Sequence, residues 1–143
     1  MIKNKFLFYF LSFTWGLPMT LIGCIVAAAL IATGHKPKKW GYCYYFEVGK
    51  NWGGLELGPF FLANKNSSEH TRNHEHGHGH QNCIWGPLFP FVISIPSATR
   101  YWYFTIRRKI GKPCTTSYYG IWFEGQASSV GTQFMEWYNN STK

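Results

Sequence analysis

The residues best suited to chemistry lie in a histidine-rich tract in the middle of the chain, whose centre reads His74-Glu75-His76-Gly77-His78. Residues four apart on a helix share one face, so His74 and His78 can offer imidazole nitrogens to a single zinc ion. Glu75 lies about 100° around the helix from His74, where it can take a proton from water that attacks a carbonyl. This H-E-x-x-H pattern predicts a zinc-dependent hydrolase with Glu75 as the general base.

The same tract has a simpler interpretation, because five of the chain's six histidines lie between residues 70 and 80. A histidine-rich loop can bind metal loosely without catalysing any reaction. His76 and His80 form a second pair at the same spacing, but glycine, not an acid, follows His76. Only His74 and His78 are accompanied by a glutamate in the position that hydrolysis needs.

A catalytic zinc site needs a third protein ligand and one position left for water. The chain has six glutamates and no aspartate, which shortens the search. Glu124 is the one glutamate on a predicted downstream helix among small residues, and the apolar residues 121–123 beside it indicate burial. His70, one turn before His74, is the competing ligand, but three ligands from consecutive turns of one helix converge poorly on a tetrahedral ion. We therefore predict that His74, His78 and Glu124 bind Zn²⁺.

Two predicted helices must meet for this site to form. The first runs from about Glu69 to Asn82, with an N-cap supplied by residues 66–68. Gly77 weakens that helix, but it makes sense if another element approaches closely beside the second zinc histidine. The second helix runs from about Ser117 to Trp137. On this second helix a stripe of small residues shares one narrow face with Glu124 and would let another helix approach. The stripe consists of Gly120, Ala127 and Gly131.

A β-hairpin is predicted before the histidine tract. Gly41–Val48 alternates in the manner of a strand, residues 49–54 form a glycine-rich turn, and Leu55–Leu62 is a second strand. Pro59 cannot donate to a ladder, so we expect the second strand at an edge. A peptide substrate can add to an edge strand beside the zinc helix. An ordinary hairpin that packs on the helix is the alternative.

The N-terminal 39 residues predict a membrane anchor and a basic linker. Phe6–Gly34 contains no charged residue and is flanked by lysines on both sides. As one helix it would extend about 43 Å, enough to cross a hydrocarbon core of about 30 Å once. We predict a retained single-pass transmembrane helix, with a bend near Gly16 and Pro18, in preference to a cleaved signal peptide. The distribution of basic residues favours a cytoplasmic domain.

Residues 40–143 then form one minimal domain whose segment 83–106 is predicted to associate with the membrane. Residues 83–99 are uncharged and interrupted by prolines, and aromatic and basic residues follow. This order is typical of an interfacial or re-entrant segment, with a buried irregular connection as the alternative. The net charge of +8 is spread beside apolar runs, which favours anionic lipid headgroups over nucleic acid as partners.

The pattern of two histidines and Glu75 followed by a helical Glu124 resembles the gluzincin branch of zinc metallopeptidases. The tract NHEHGHGHQ and the runs GPLFPFVISIPSATRYWY and IWFEGQA are similar to a family of small membrane-anchored proteins of bacterial and phage genomes with no established substrate. The resemblance implies a membrane-anchored zinc peptidase that acts on a peptide or protein, with the ligands and base given above. The predicted helices and strands of residues 40–143 make this a minimal zincin-like domain of α+β class. An Asp-Gly motif of intramembrane proteases is missing, and Tyr118 and Tyr119 are candidates for stabilising an oxyanion.

Two other functions fit the same residues. In the first, the chain is a membrane protein that carries or senses metal through its histidine tract without catalysis. In the second, it is a degenerate peptidase fold that acts as a scaffold or as the partner of another membrane protein, with no need for metal.

Overall fold

A computed structural model describes residues 1–142 and shows an α+β architecture, as predicted. The helices are α1 (Lys5–Phe13), α2 (Leu17–Ala32), α3 (Glu69–Trp85), α4 (Ile95–Lys109) and α5 (Trp122–Ser141). The strands are β1 (Lys38–Trp40), β2 (Cys43–Glu47), β3 (Gly54–Leu57) and β4 (Phe60–Ala63). They form one mixed sheet in the order β1-β2-β4-β3.

The predicted single hairpin is wrong, because the second stretch is two strands and not one. β1 pairs antiparallel with β2 and β3 antiparallel with β4, while β2 and β4 run parallel. The chain reverses between Leu57 and Phe60, where Gly58 has a positive φ of 74° that favours glycine. Pro59 therefore lies in a turn and not within an edge strand. An edge strand beside the histidine-rich helix is nevertheless present, since β3 is outermost in the sheet and packs against α3.

Helix α3 begins where the sequence predicts. The hydroxyl of Ser68 accepts a hydrogen bond from the Thr71 amide at 3.2 Å, and Glu69 lies in the first turn. The helix continues three residues beyond the predicted end at Asn82 and stops at Trp85, before Gly86 with a φ of +52°. Residues 73–83 are all buried, so α3 is the central element of the fold.

Helices α3 and α5 cross at their glycines. A Cβ on Gly77 would overlap the carbonyl oxygen of Ala127, and a Cβ on Gly131 would overlap that of Asn73. The close approach predicted for Gly77 and for the small-residue stripe is confirmed at these positions. Gly120 does not take part, since it lies in a 3-10 turn before α5, which starts at Trp122 and not at Ser117.

The predicted bend near Gly16 and Pro18 is confirmed, but it separates two helices where one helix was predicted. Helices α1 and α2 meet at an angle of 92° across residues 14–16. Two hydrogen bonds stabilise the bend. Within the helix pair, Thr20 Oγ1 donates to the Ser12 carbonyl at 2.7 Å, and from α3, Asn82 Nδ2 donates to the Gly16 carbonyl at 3.3 Å. Within residues 1–142 no one helix has both the length and the apolar character to cross a membrane, whereas the bent pair meets both criteria when taken together.

The segment after α3 is helical, not irregular. A 3-10 turn at Gly86–Leu88 and a π-helical turn at Pro90–Ser94 lead into α4. Pro87, Pro90 and Pro96 each occupy the first or second position of one of these pieces, where a missing amide proton costs little. The prolines therefore change the helix type without ending the helical path.

Candidate metal centre

Three predicted ligands from two helices converge on one point. The Nε2 atoms of His74 and His78 are 3.1 Å apart, and Oε2 of Glu124 is 3.0 Å from the first and 3.5 Å from the second. All three side chains are buried. The helical spacing of four places the two histidines on one face of α3, and the glycine crossing brings Glu124 of α5 against that face.

These distances fit a tetrahedral metal. Bonds of about 2.05 Å at tetrahedral angles place neighbouring ligand atoms about 3.3 Å apart, and the three measured separations lie between 3.0 and 3.5 Å. Glu124 Oε2 is buried and accepts no hydrogen bond, although a buried carboxylate oxygen normally has a partner. A cation held by the three atoms would satisfy it.

Gln81 fixes the orientation and tautomer of His78. The Gln81 amide nitrogen donates to the Phe123 carbonyl at 2.9 Å and to Gln126 Oε1 at 2.8 Å. Its Oε1 must therefore accept the 2.7 Å hydrogen bond from His78 Nδ1. A proton on Nδ1 leaves the lone pair of Nε2 free for a metal, as in the outer coordination shell of zinc proteins.

The other two ligands have outer partners as well. His74 Nδ1 lies 2.9 Å from the hydroxyl oxygen of Ser128, one helical turn after Glu124 on α5. The Tyr118 hydroxyl donates to Glu124 Oε1 at 3.1 Å and lies 3.1 Å from the Ser97 hydroxyl of α4. Each predicted ligand therefore has a hydrogen-bond partner that limits its rotation.

The protonation states favour a bound cation. Burial lowers the pKa of His74 to about 4, so this imidazole is neutral at pH 7. Burial by itself would raise the pKa of the Glu124 carboxyl, but the His74 and His78 imidazoles beside it lower the pKa well below the ordinary value. Burial lowers the pKa of His78 too, but Glu124 and Glu75 raise it by more. The net result is a His78 pKa above its ordinary value. An ionised, buried carboxylate beside the neutral His74 imidazole is a cation-binding environment.

Glu75 lies beside the ligands and under the edge strand. A Cβ on Gly54 of β3 would be 2.6 Å from Glu75 Oε1, so only glycine leaves room for this carboxyl. Burial raises the pKa of Glu75 to about 7, against the opposing effects of His78 and the Glu56 backbone. A carboxyl group with a pKa near neutrality can accept and return a proton at ordinary pH.

A cleft with two lobes passes the metal centre between β3, α3 and α4. One lobe is a largely apolar cavity of about 320 Å³ that includes Glu75, His78, Phe89, Ile93 and Tyr101 in its lining. The second, of about 430 Å³, shares Glu75 and Tyr101 and adds Asn51, Thr71 and Arg108. A substrate could therefore extend to both sides of the predicted ligands.

The other histidines of the tract do not join the site. His70 is exposed and packs edge-on against Tyr119. His76 and His80 lie on the opposite side of α3, where they pack against Phe134 in the hydrophobic core. Burial lowers the pKa of His76 to about 3, and its Nε2 accepts the Tyr42 amide at 3.2 Å. These two imidazoles are neutral core residues.

Sequence reasoning missed the outer partners of the ligands. Gln81 lies three residues after His78, and Ser128 lies four residues after Glu124, so helical spacing could have identified both. Tyr118 was considered only as a stabiliser of an oxyanion, and the structure gives it a hydrogen bond to Glu124. The Tyr118 contact crosses a non-helical turn, for which the sequence carries no spacing rule.

The chain matches no protein-family model, no curated protein and no solved structure. The metal identity and any activity therefore have to be argued from the geometry of this chain.

Proposed function

We propose that the chain is a membrane-anchored zinc peptidase that hydrolyses peptide bonds with Glu75 as general base. The observation that carries the proposal is the convergence of His74, His78 and Glu124 Oε2 beside a buried carboxyl group at the wall of a cleft. Two histidines and one glutamate are a ligand set found in catalytic zinc sites. A relationship of this chain to the gluzincins is part of the same proposal.

The residues at the site would have separate roles in hydrolysis. His74 and His78 would bind zinc through Nε2, and Gln81 keeps the Nδ1 proton of His78 in place. Bound zinc supplies Lewis-acid chemistry, which polarises a carbonyl and makes water more acidic. Glu75 would accept a proton from the attacking water and pass it to the leaving amine, for which a pKa of about 7 is suited.

The free edge of β3 supports a peptide as the substrate. β3 is the outermost strand, so the main-chain groups on its far side have no partner strand in the sheet. An extended peptide can pair with such an edge. Gly54 of β3 lies directly above the Glu75 carboxyl, so a peptide paired there would pass close to the base and the metal ligands.

The N-terminal helices support attachment to a membrane. Large apolar side chains of α1 and α2 are exposed, among them Phe6, Phe10, Leu21 and Ile25. Soluble monomers rarely expose so much contiguous apolar surface. We place the catalytic domain on the cytoplasmic side, in keeping with the basic residues that follow α2.

Metal content of the purified protein tests the site. We expect one zinc per chain, lost in His74→Ala and in Glu124→Gln. His70→Ala and Glu136→Gln are the matched controls from the same tract and the same helix, and both should retain zinc. Zinc retained in Glu124→Gln, or more than one ion per chain, would favour the non-catalytic metal-binding alternative.

Hydrolysis is tested separately on a library of fluorogenic peptides. Glu75→Gln should retain zinc and lose turnover, whereas Glu69→Gln at the exposed start of α3 should keep both. A Glu75→Gln variant that still cleaves would exclude Glu75 as the base. A wild-type chain that binds zinc but cleaves nothing would leave the scaffold alternative.

A further inference from the structure

The helical path from Gly86 to Ile110, here called the α4 segment, is one wall of the catalytic cleft. Its inner side contributes Phe89, Ile93, Ser97 and Tyr101 to the apolar lobe beside Glu75. Through Ser97 and Arg100 it also holds Tyr118, the residue that donates to Glu124. Whatever contacts the outer side of this segment therefore lies one helix thickness from the metal ligands.

The outer side of the α4 segment is an exposed apolar stripe. Six large apolar residues, each more than half exposed, follow one another at intervals of three, four or seven along the path. They are Leu88, Phe91, Ile95, Trp102, Ile106 and Ile110. Such intervals put side chains on one face of a helix. The stripe extends for 23 residues, from 88 to 110, and nothing in residues 1–142 covers it.

The stripe continues into the exposed surface of the N-terminal helices. Trp15, at the bend between α1 and α2, donates through Nε1 to the Ile84 carbonyl at 3.1 Å. Its ring also fills the space where a Cβ of Gly86 would stand. Trp15 and Ile84 are both exposed, so they join the α4 stripe to the apolar faces of α1 and α2.

Charge identifies the partner of this surface. No acidic residue occurs before Glu47 or between Glu75 and Glu124, and these two stretches hold ten of the fourteen lysines and arginines. Four of the ten follow or end the α4 segment, at Arg107, Arg108, Lys109 and Lys112. A long apolar stripe, with Trp102 within it, the exposed Tyr103 beside it and cations at its end, matches the layered polarity of an anionic bilayer surface. A second protein copy would instead need acidic groups opposite these cations.

We propose that the α4 segment lies in the surface of an anionic lipid bilayer, with its stripe toward the acyl chains. The cleft on its inner side then opens at the membrane–water boundary. Trp102 lies at the rim of the cleft, since it is exposed and also lines the apolar lobe. The substrates would be peptide segments that lie along the bilayer surface and present a large apolar side chain to that lobe. The statement on substrates rests on the proposed peptidase function, whereas the statement on the lipid contact does not.

Spin labels test the lipid contact without any need for activity. Phe91→Cys and Ile106→Cys place a label on the stripe, and Lys65→Cys places one in the exposed polar turn before α3. All three are made in full-length Glu75→Gln protein in which the partly exposed Cys24 and Cys114 are alanine. The protein is reconstituted in vesicles of equal parts phosphatidylcholine and phosphatidylglycerol. Collisions of each label with oxygen, which concentrates in lipid, are compared with collisions with a water-soluble nickel chelate.

We expect oxygen to be the more effective partner at Phe91 and Ile106, and the nickel chelate at Lys65. Stripe labels that collide mainly with the nickel chelate would place the segment in water and overturn the proposal. Stripe labels that are immobilised and shielded from both reagents would show a protein copy on the stripe, which also overturns it.

Substrate choice is measured in the active protein with one peptide sequence, presented either free in solution or attached to an acyl chain in the same vesicles. We expect at least tenfold faster cleavage of the attached form. Equal rates would overturn the statement on substrates. Cleavage of neither form, with lipid-facing labels, would refute the peptidase and leave the lipid contact standing.

Discussion

Replacing Gly77 with alanine should disable the metal centre without touching a ligand. Gly77 lies immediately before His78, at the closest contact between α3 and α5. The added methyl group would overlap the Ala127 carbonyl oxygen, which belongs to the helix backbone and cannot rotate away. Helix α5 must therefore move away from α3, and Glu124, three residues before Ala127, moves with it.

The size of the effect follows from the contact distances. Relieving the overlap requires a separation of roughly 1.5 Å, because the added Cβ would lie well inside the distance of about 3.5 Å at which non-bonded heavy atoms settle. Zinc bonds tolerate only about 0.2 Å, so zinc affinity should fall at least ~10-fold. The substitution has two opposing effects on the free energy of unfolding. Alanine is the better helix former by about 1 kcal/mol, whereas overpacking costs about 1–3 kcal/mol. We therefore expect a net destabilisation of about 1 kcal/mol.

Gly120→Ala is the matched control. It lies on the face that the sequence assigned to the same stripe, but the nearest atom to an added Cβ is Ser117 Cβ at 4.0 Å. Both variants are titrated with zinc against a chromophoric chelator and unfolded by heat in detergent with and without EDTA. Gly120→Ala should match the wild-type protein. A Gly77→Ala variant that binds zinc normally and melts higher would show that helix propensity decides at this position and would refute the packing argument.

Three further outcomes are expected. Gln81→Ala should weaken zinc binding about 10–100-fold, because His78 loses the acceptor that fixes its tautomer. Tyr118→Phe should weaken zinc binding more modestly, since Glu124 loses one hydrogen bond but keeps Oε2 toward the metal. Glu56→Gln should stabilise the fold at about pH 8. Burial raises the pKa of Glu56 well above its ordinary value, so the folded chain retains a proton that the unfolded chain loses above ~4.3, and stability falls as pH rises. Chelator competition checks the first two, and thermal unfolding from about pH 4 to pH 8 checks the third.

Each of these outcomes can fail in a definite way. Unchanged zinc affinity in Gln81→Ala would mean that His78 binds through another tautomer. A Tyr118→Phe variant with the affinity of the wild type would show that Glu124 is held by its helix alone. For Glu56, an advantage of glutamine that is as large at about pH 4 as at about pH 8 would exclude titration as its source.

The site could be predicted from the sequence because its signals are local. His74 and His78 are one helical turn apart, and the small residues near Glu124 repeat at the same spacing. Each pattern belongs to a single helix. Predicting that Glu124 joins the two histidines needs only one long-range assumption, namely that the glycine-bearing faces of the two helices meet. The described structure places Ala127 and Gly131 at that contact.

The sheet could not be predicted to the same degree, because alternation does not mark where a strand turns back. Residues 55–62 keep the apolar character of one strand through Gly58 and Pro59. Strands β2 and β4 belong to different hairpins, and they pair in parallel. No pattern in the sequence indicates which strands of two hairpins become neighbours. The edge position of β3 was expected for a reason that the structure does not support, since Pro59 lies outside the strand.

The bend between α1 and α2 was predicted near Gly16 and Pro18, but its 92° angle was not, for a reason that bears on the site itself. Gly16 and Pro18 permit a break, but its angle depends on Asn82, which lies one turn after His78 on α3 and donates to the Gly16 carbonyl. Helix α3, which carries the candidate ligands His74 and His78 on one face, thus contacts the N-terminal helix pair through its last turns. A helix that is buried on all sides needs a partner for each of its polar residues. In α3 these partners are α5 for Gln81, the β1–β2 turn for His76 and the α1–α2 bend for Asn82. The polar residues of α3, which in isolation suggest a solvated loop, therefore connect the α1–α2 pair, the sheet and the candidate metal centre.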